Sequence, residues 1–400
     1  MKARKDEFPI LTSQRLVYLD TAASSLTPKR VIDKMNEYYG EYPVNVHRGV
    51  YALSHRATEQ YTNARQTIAD FIGAAFEEVV FTRGASSALN LVALTYGAQH
   101  LNSGDEVIVS ELEHHSHVLP WQQIAKKTGA KLIYVPLAKD GRITVEAFKS
   151  VLTDKTKIVA LTHVSNVMGY VTPLEEIIPL AHEKGAIVSV DAAQSAPHMP
   201  LDVKQLDADF LAFSGHKMCG PTGIGVLYGK RALLEGLEPL EYGGDMNDNV
   251  EKDGGTWKDT PYKFETGTPP IAEALGLAEA IHYLSSIGFD TVRAHEHALF
   301  KRALAGLRTI PDITVYNPEA DTGIVNFNID GVHPHDAVSF FDEDHVALRA
   351  GHHCAQLLIK WLAVPATLRA SFYVYNDERD VDTFLDVVRR ARDFFKEIGF

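Results

Sequence analysis

The chain has few cysteines, no long apolar run and no excess of basic charge. Its two cysteines are Cys219 and Cys354, so we expect no disulfide framework and predict a reducing, cytoplasmic environment. No apolar stretch is long enough to span a bilayer, and the first residues, MKARKDEFPILTS, lack the apolar core of a secretory signal. The formal net charge of −13 argues against a nucleic-acid partner, because such proteins carry basic clusters.

The composition is that of a globular protein. Hydrophobic residues make up 45% of the chain and charged residues 23%, which excludes a chain that is disordered throughout. Because 400 residues are too many for one simple core, we expect two domains.

Short runs rich in β-branched residues predict the strands of a large sheet. They cover residues 79–81, 106–110, 131–136, 157–162, 186–191, 210–213 and 224–229. Helical patterns, such as residues 85–99 and 174–186, lie between most of these runs. The alternation predicts an α/β fold with a mainly parallel, seven-stranded sheet between helices. Ligands bind such sheets at the carboxyl ends of the strands.

The pattern changes after about residue 287. A long helical pattern at residues 289–307 is followed by strand-like runs and a final helix at 380–398. This order indicates a smaller α+β domain at the C-terminus. The expected units are an N-terminal segment packing with the small domain (1–20), a large domain (21–286) and the small domain (287–400). The polar, glycine-rich stretch 241–259 predicts an exposed loop or hairpin.

Lys217 lies in SGHK, directly after the predicted strand at residues 210–213. A lysine in a loop is commonly just solvated. A lysine at a strand end of an α/β sheet, however, faces the ligand crevice, where it can form a Schiff base with an aldehyde cofactor. The sequence pattern alone leaves both interpretations open.

Two further strand ends carry polar groups. Asp191, in VDAAQ, could cap the next helix or could hold a pyridine nitrogen in its protonated form. The segment TRGASSALN, residues 82–90, turns from a strand into a helix whose N-terminus could bind phosphate or could be an ordinary cap.

Histidines cluster at two places in the chain. In ELEHHSHVLPW, His114 and His117 could share a metal ion, or an imidazole could stack on a flat cofactor. In RAGHHCAQ, Cys354 follows His352 and His353, and the local spacing does not distinguish a metal ligand, a core residue and a nucleophile. A zinc site made of His114, His117, His352 and Cys354 would leave Lys217, Asp191 and Arg369 unexplained.

These segments together resemble the pyridoxal-phosphate (PLP) enzymes of fold type I, in the class V aminotransferase family. More narrowly they resemble the group II cysteine desulfurases, the SufS/CsdA-like branch, over nearly the whole chain. The motifs that carry the resemblance are VYLDTAASS, NVHRG, TRG, EHH, SNVMG, VDAAQ, SGHK, GPTGIGVLYG, FETGTP, RAGHHCA and RASFYVYN. The pairing of SGHK with RAGHHCA is specific, since the other branch carries a longer, mobile cysteine loop without HHCA.

The resemblance implies a set of residues around the cofactor. Lys217 would bond to the PLP aldehyde and move the Cα proton, and His114 would stack on the ring. Asp191 would pair with the pyridine nitrogen and Gln194 with the ring hydroxyl. The residues that would hold the phosphate are Ala85, Ser86, Ser214, His216 and, from a second subunit, Gly267 and Thr268.

The resemblance also implies the substrate side of the site. Arg369 would bind the substrate carboxylate as a fork, with Asn166 nearby. His47 and Arg48 would line the mouth, and Cys354 would be the nucleophile. The expected reaction converts L-cysteine to L-alanine and a persulfide on Cys354. The alternative is a selenocysteine lyase or another PLP-dependent class V lyase or aminotransferase.

The implied partners are a second copy of the chain and a sulfur-acceptor protein serving iron–sulfur cluster assembly in a SUF system. His335, in GVHPHDAV, would borrow zinc from a SufU-like acceptor, with a SufE-like acceptor as the second option; a plain surface histidine is the other interpretation. The chain departs from the family pattern at Ala85-Ser86-Ser87 (often TTE), Pro270 (usually Asn) and Leu357 (usually Pro). None of these departures removes a group that the chemistry requires.

Overall fold

The computed structural model describes residues 1–399, so Phe400, the last residue of the expected small domain, lies outside the described part. The strands are β1 (Val17–Tyr18), β2 (Val79–Thr82), β3 (Glu106–Ser110), β4 (Lys131–Val135), β5 (Thr156–Thr162), β6 (Ile187–Asp191), β7 (Phe210–Ser214), β8 (Gly225–Gly229), β9 (Asn247–Glu251), β10 (Gly254–Trp257), β11 (Ile313–Val315), β12 (Ile324–Ile329), β13 (Val346–Ala347), β14 (Arg349–Gly351) and β15 (Thr367–Ser371).

The α-helices are α1 (Pro9–Ser13), α2 (Lys29–Glu41), α3 (Ala52–Ile72), α4 (Ala85–Val92), α5 (Ala98–His100), α6 (His115–Thr128), α7 (Val145–Val151), α8 (Leu174–Glu183), α9 (Val203–Leu206), α10 (Arg231–Gly236), α11 (Ile271–Ile287), α12 (Phe289–Leu307), α13 (Pro334–Glu343), α14 (Gln356–Trp361) and α15 (Glu378–Glu397).

Strands β2 to β8 form a seven-stranded sheet in the spatial order β2-β8-β7-β6-β5-β3-β4. β8 runs antiparallel to both of its neighbours, and the other adjacent pairs are parallel. These strands are the seven runs predicted from the sequence, so the predicted α/β fold is confirmed. The interior strands β7 and β8 are buried along their whole length, which explains their apolar composition.

One helical prediction needs correction. The pattern at residues 85–99 predicts one helix, but α4 is followed by a π-helical turn, Ala93–Gly97, before α5. The turn ends where Gly97 packs on Trp121 of α6, and an added Cβ on this glycine would lie 2.7 Å from a ring atom. Close packing between helices, which a single segment does not show, accompanies the irregular turn.

A second, antiparallel sheet has four strands in the order β11-β12-β15-β14. A separate hydrophobic core, with residues from α12, α13 and α15, packs against it. The last of the strand-like runs predicted in the small domain, residues 346–351, forms two short strands, β13 and β14. No strand was predicted at β15. The stretch 241–259 contains the antiparallel hairpin of β9 and β10, one of the two structures expected there.

The N-terminal segment contacts both cores. Phe8 packs edge-on against Tyr375, with ring centroids 4.9 Å apart, and belongs to the core of the large sheet. β1 pairs in parallel with β13, and Leu19 belongs to the core of the small sheet. The segment therefore joins the two sheets at the edge where β6 and β7 end. Across residues 1–399, no helix combines the length and the apolar composition needed to cross a membrane.

Candidate active site

A cavity of about 170 Å³ lies at the carboxyl ends of β6 and β7. The large-sheet side contributes Ala85, Ser86, His114, Asn166, Asp191, Ser214, His216 and Lys217. The small-sheet side contributes Arg349, His353, Cys354 and Arg369. The structure thus brings ten of the site residues predicted from the sequence to one cavity, together with two neighbours of Cys354.

Lys217 ends a 3₁₀ turn that follows β7 directly. The turn begins at Gly215, where an added Cβ would lie 2.8 Å from the Ile224 side chain and 3.0 Å from the Pro221 carbonyl, so only glycine fits without rearrangement. The Lys217 side chain is half-buried and lines the cavity. Burial lowers the pKa of its amine, and Asp191 partly opposes this effect.

Asp191 is the last residue of β6, and its carboxylate makes two kinds of contact. Its Oδ1 accepts a hydrogen bond from the Ala193 N–H at 2.9 Å, as a capping residue does, and its side chain also lines the cavity. Gln194 lies behind this wall rather than on it, and its Nε2 donates to the Ala22 carbonyl at 2.7 Å. Its Oε1 is buried without a partner among the described residues.

His114 is the N-cap of α6. Its Nδ1 accepts a hydrogen bond from the Ser116 N–H at 3.1 Å, so the proton of the neutral ring sits on Nε2. Burial, helped by the charge on Lys217, lowers the pKa of His114 to about 4. The ring is therefore uncharged at neutral pH.

The metal interpretation of the His114 segment is not supported. His117 points into the core, with its Nδ1 2.9 Å from Glu113 Oε2 and its Nε2 3.2 Å from Ser189 Oγ. Both ring nitrogens are thus engaged by protein groups. Within the described residues, no three His, Cys, Asp or Glu side chains are grouped as metal ligands.

The start of α4 forms another wall of the cavity. The Ala85 N–H donates to Ser214 Oγ at 2.8 Å, and Ser86 Oγ lies 2.6 Å from Ser116 Oγ. The hydroxyl groups of Ser86 and Ser214 and the N-terminus of α4 therefore lie together at the cavity wall. Hydroxyl groups beside a helix N-terminus are suited to binding an anion such as a phosphate group. Burial lowers the pKa of the neighbouring His216 to about 4.

Cys354 lies on a short loop between β14 and α14. His353 and Cys354 both have left-handed backbones, with φ of 52° and 55°. The loop is held by distant residues: the His115 N–H donates to the Cys354 carbonyl at 2.7 Å, and Asn166 Nδ2 donates to the His353 carbonyl at 2.7 Å. His115 Nε2 also accepts from the Gln356 N–H at 3.1 Å. The thiol is exposed and lines the cavity.

The other cysteine is not a second thiol of the site. Cys219 is fully buried, and burial raises the pKa of its thiol far above the usual value. Its backbone N–H donates to Ser25 Oγ at 2.6 Å. It packs as a small apolar residue.

Arg369 lies on β15 and is 1% exposed. Its Nη1 donates to the Asn166 carbonyl at 2.8 Å and its Nη2 to Asp20 Oδ1 at 3.1 Å. Its Nε is buried without an acceptor among the described residues. Asp20, although it lies in the motif VYLDTAASS, is not among the site residues predicted from the sequence, and neither are His115 and His353.

Five predicted residues lie away from this cavity in the single chain. Thr268 lines a larger opening of about 770 Å³, which shares Ser86, Ser214 and His216 with the cavity. His47 and Gly267 line a separate recess, and Arg48 forms an ion pair with Asp245. His335 lies at the start of α13. Roles of these residues in a neighbouring subunit's site or toward a partner stay predictions.

A family model described as aminotransferase class V matches residues 17–384. The chain belongs to the class V aminotransferase family. This class V chain is 52% identical over 399 residues to a probable cysteine desulfurase of Halalkalibacterium halodurans, with 98% of each protein covered.

Solved structures of two cysteine desulfurases also resemble this class V chain. One, the apo enzyme from Thermococcus onnurineus, is 43% identical with a TM-score of 0.94, covering 98% of this chain and 99% of that one. The other, CsdA from Escherichia coli, is 40% identical with a TM-score of 0.92, covering 98% of each. The likeness includes both sheets, because nearly the whole chain is matched.

Proposed function

We propose that the chain is a PLP-dependent cysteine desulfurase, which converts L-cysteine to L-alanine and leaves the sulfur as a persulfide on Cys354. The observation that carries this proposal is one cavity lined by both an amine and an exposed thiol, Lys217 and Cys354. A transaminase needs the amine but has no use for the thiol. The probable desulfurase from Halalkalibacterium halodurans, at 52% identity, supports the same reaction.

The residues of the cavity fit PLP. The lowered pKa of Lys217 brings its amine closer to the neutral form that reacts with an aldehyde. Asp191 offers a buried carboxylate suited to a protonated ring nitrogen, and Gln194 Oε1 is a buried acceptor that lacks a donor among residues 1–399. When bound, PLP would supply a sink for the electrons of the substrate Cα–H bond.

The remaining steps belong to the side chains. Arg369 binds the substrate carboxylate, because its Nε is a buried donor still available and its Nη1 is fixed by Asn166. Lys217 takes the Cα proton on Nζ. The Cys354 thiolate bonds to the substrate sulfur as the C–S bond breaks, and the bonding pair stays with carbon. Protonation of that carbon and return of the proton from Lys217 Nζ to Cα yield alanine, so atoms and electrons balance.

The short, fixed cysteine loop supports placement in the SufS/CsdA-like branch. Three hydrogen bonds, two donated by His115 and Asn166 and one accepted by His115, hold the four residues His353 to Gln356 on the large-sheet side of the cavity. A long mobile loop would deliver its thiol to a distant acceptor, whereas this loop keeps Cys354 at the cavity. The acceptor must therefore approach the cavity mouth.

The proposed reaction is tested with purified protein, L-cysteine and a reductant. We expect a yellow protein whose visible absorption is bleached by borohydride, with the reduced cofactor attached to Lys217, and equal yields of L-alanine and released sulfide. A colourless protein, or alanine formed without sulfide, contradicts the proposal. Breakdown of selenocysteine with no turnover of cysteine would favour the selenocysteine lyase alternative.

The proposed assembly is a homodimer. Gly267 and Thr268 are exposed and do not line the cavity that contains Lys217, which supports assigning them to the phosphate group of a second copy's site. Light scattering should show a dimer for the PLP-loaded, active protein. An active monomer contradicts this assignment.

The proposed sulfur acceptor is a zinc-containing, SufU-like protein that feeds iron–sulfur cluster assembly, with a SufE-like protein as the second option. His335 is exposed on α13. Its imidazole ring lies beside Gly351, because a Cβ added to this glycine would be 3.8 Å from the ring. Gly351 is the last residue of β14, the strand that leads to Cys354, so His335 borders the cysteine loop. His335→Ala should keep basal turnover and lose stimulation by the acceptor. His282 is also exposed, so His282→Ala is the matched control. Equal stimulation of both variants by the acceptor would refute the proposed role of His335 in binding the acceptor's zinc.

A further inference from the structure

A buried ion pair joins α3 to the segment that precedes α11. The side chain of Arg65, on α3, is 1% exposed, and that of Glu265 is 11% exposed. The two groups meet as a fork, with Nη1 2.6 Å from Oε1 and Nη2 2.7 Å from Oε2. A double contact of this kind fixes the orientation of both side chains as well as the distance between them.

The surroundings of the pair hold it on the end of β2. Glu265 Oε1 accepts from the Phe81 N–H at 2.8 Å, and Arg65 Nη1 donates to the Val79 carbonyl at 2.7 Å. Four aromatic rings, with centroids 4.4 to 5.7 Å from the guanidinium carbon, belong to Phe81, Phe76, Tyr61 and Tyr262. Because apolar residues often stabilise such a buried place equally well, the geometry that the pair imposes explains its presence better than stability does.

Glu265 stands at the base of an exposed tip, residues 266–268. Gly267 and Thr268 are the exposed residues of this tip. The backbone of Gly267 is left-handed, with φ of 72°, and its N–H donates to the Gly244 carbonyl at 2.8 Å. Beyond the tip, α11 begins at the buried residue Ile271. The tip is therefore held by Glu265 on one side and by α11 on the other.

The position of the Thr268 hydroxyl depends on these two supports. Among residues 1–399, the Thr268 side chain has no hydrogen-bond partner, so the backbone alone places it. Three residues of extended chain separate Thr268 from Glu265 by at most about 10 Å. A hydrogen bond requires donor and acceptor to lie within a range only about 0.5 Å wide. A shift at Glu265 would thus be enough to take the hydroxyl out of reach of a ligand.

We propose that Arg65 and Glu265 are positioning residues, which hold the tip so that Thr268 reaches the cofactor's phosphate group in a neighbouring subunit. This inference rests on the proposed function in two respects, PLP as the cofactor and the homodimer as the assembly. It adds that phosphate binding in one subunit depends on a buried ion pair of the other subunit.

The test compares the binding of PLP with that of pyridoxal, which lacks the phosphate group. Titration of the full-length protein, purified free of cofactor, gives a dissociation constant for each compound from its visible absorption. The readout is the ratio of the pyridoxal constant to the PLP constant, which reports the contacts of the phosphate group. A general loss of stability weakens both compounds alike and leaves the ratio unchanged, and no turnover of cysteine is needed.

Arg65→Met/Glu265→Leu replaces the fork by apolar side chains of similar size, which suit the aromatic surroundings. The ratio should fall by about tenfold or more, as for the loss of one hydrogen bond to a charged group. Thr268→Ala should lower it by a similar factor, and adding Thr268→Ala to the pair variant should lower it no further, because the pair acts through Thr268. Arg302→Met/Asp382→Leu removes a similar fork between α12 and α15 and is the matched control, with an unchanged ratio.

A second variant keeps the test valid if the apolar pair does not fold. Glu265→Gln retains an acceptor for the Phe81 N–H and removes only the charge of the fork. Its ratio should lie between those of the wild type and Thr268→Ala.

A mixed dimer shows which subunit's site the pair serves. Chains with Lys217→Ala and chains with Arg65→Met/Glu265→Leu carry different affinity tags and are co-expressed, and the mixed dimer is isolated. Only the pair-variant chain keeps Lys217, so cofactor fixed by borohydride reports the one site that receives its tip from the Lys217→Ala chain. The PLP concentration that half-saturates this attachment should equal that of the wild type, and it should be about tenfold higher in the homodimer of the pair variant.

A wild-type ratio in the pair variant and in Glu265→Gln overturns the proposal. So does a further fall on adding Thr268→Ala, or a mixed dimer that binds PLP as weakly as the pair variant, since the pair would then serve its own chain's site. If PLP binds as stated but cysteine releases no sulfide, the desulfurase proposal fails and the role of the pair stands. If sulfide is released and the ratios do not move, the opposite holds.

Discussion

The two sides of the cavity are built differently. On the large-sheet side, Asp191 and Lys217 follow strand ends directly, so the sheet itself sets their positions. On the small-sheet side, Cys354 and Arg369 depend on bonds to residues far away in the sequence, such as His115 and Asn166. The positions of Lys217 and Asp191 are therefore set locally, whereas those of Cys354 and Arg369 are set by how the two sheets meet.

The largest effect should come from the large-sheet side. Lys217→Ala removes the amine that lines the cavity, and within residues 1–399 no other lysine lines it. We expect alanine production from L-cysteine to fall by at least about 10³-fold, as is typical when a nucleophile that is also the base is lost. Steady-state alanine assays provide the measurement.

A surface lysine provides the control for the expected loss of alanine production in Lys217→Ala. Lys184 lies on the surface in an ion pair with Asp154, so Lys184→Ala should keep wild-type turnover. Turnover of Lys217→Ala close to that of Lys184→Ala would remove the lysine from the mechanism.

A smaller effect is expected from the small-sheet side. His115→Ala removes the Nε2 acceptor for the Gln356 N–H and so loosens the loop. Left-handed backbones such as those of His353 and Cys354 cost about 1–3 kcal/mol each and persist only when neighbouring contacts hold them. We expect kcat to fall about tenfold with KM for cysteine unchanged, because Arg369 is untouched.

Two further observations separate loop geometry from a general loss of folding. His115→Gln restores an acceptor of similar reach and should recover part of kcat. Alkylation of Cys354 by iodoacetamide should not slow in His115→Ala, since the thiol stays exposed. A variant with normal kcat would show that the bond to Gln356 does not position the thiol.

The sequence predicted the large-sheet side well because its signals are local. The β-branched runs and the polar residues after them locate Asp191 and Lys217 without knowledge of the rest of the chain. It did not predict β15, a five-residue strand whose central Arg369 is fully buried. An arginine can be buried there only because Asp20, 349 positions earlier, and Asn166, 203 positions earlier, accept its hydrogen bonds.

The smallest effect concerns acid stability, and both sides of the cavity contribute to it. Burial lowers the pKa of His114, His163 and His216 to about 4 and that of His353 to about 2. Unfolding lets these rings bind protons below pH 6.5, so the free energy of unfolding should fall as the pH drops from about 6.5 toward 4. Each ring contributes at most about 1.4 kcal/mol per pH unit.

Urea unfolding at several pH values between about 6.5 and 4 measures the slope of the free energy of unfolding against pH. His163 is the best probe, because it is buried with an unpartnered Nδ1 and does not line the cavity. His163→Leu should reduce the slope by about one proton, whereas His282→Ala, at an exposed position, should not. An unchanged slope in His163→Leu would show that this ring is not neutral in the folded protein.

The most direct test of the account uses the contrast between the two cysteines. Cys354 is exposed at the cavity and Cys219 is fully buried, so a sulfur atom taken from the substrate should be found on Cys354 alone. Mass spectrometry of peptides from protein mixed briefly with L-cysteine, and alkylated without reduction, locates the added sulfur. The account predicts a persulfide on Cys354, none on Cys219, and no persulfide or sulfide release in Cys354→Ala, while Cys219→Ala behaves as the wild type. Sulfur on Cys219, or undiminished sulfide release from Cys354→Ala, would contradict it.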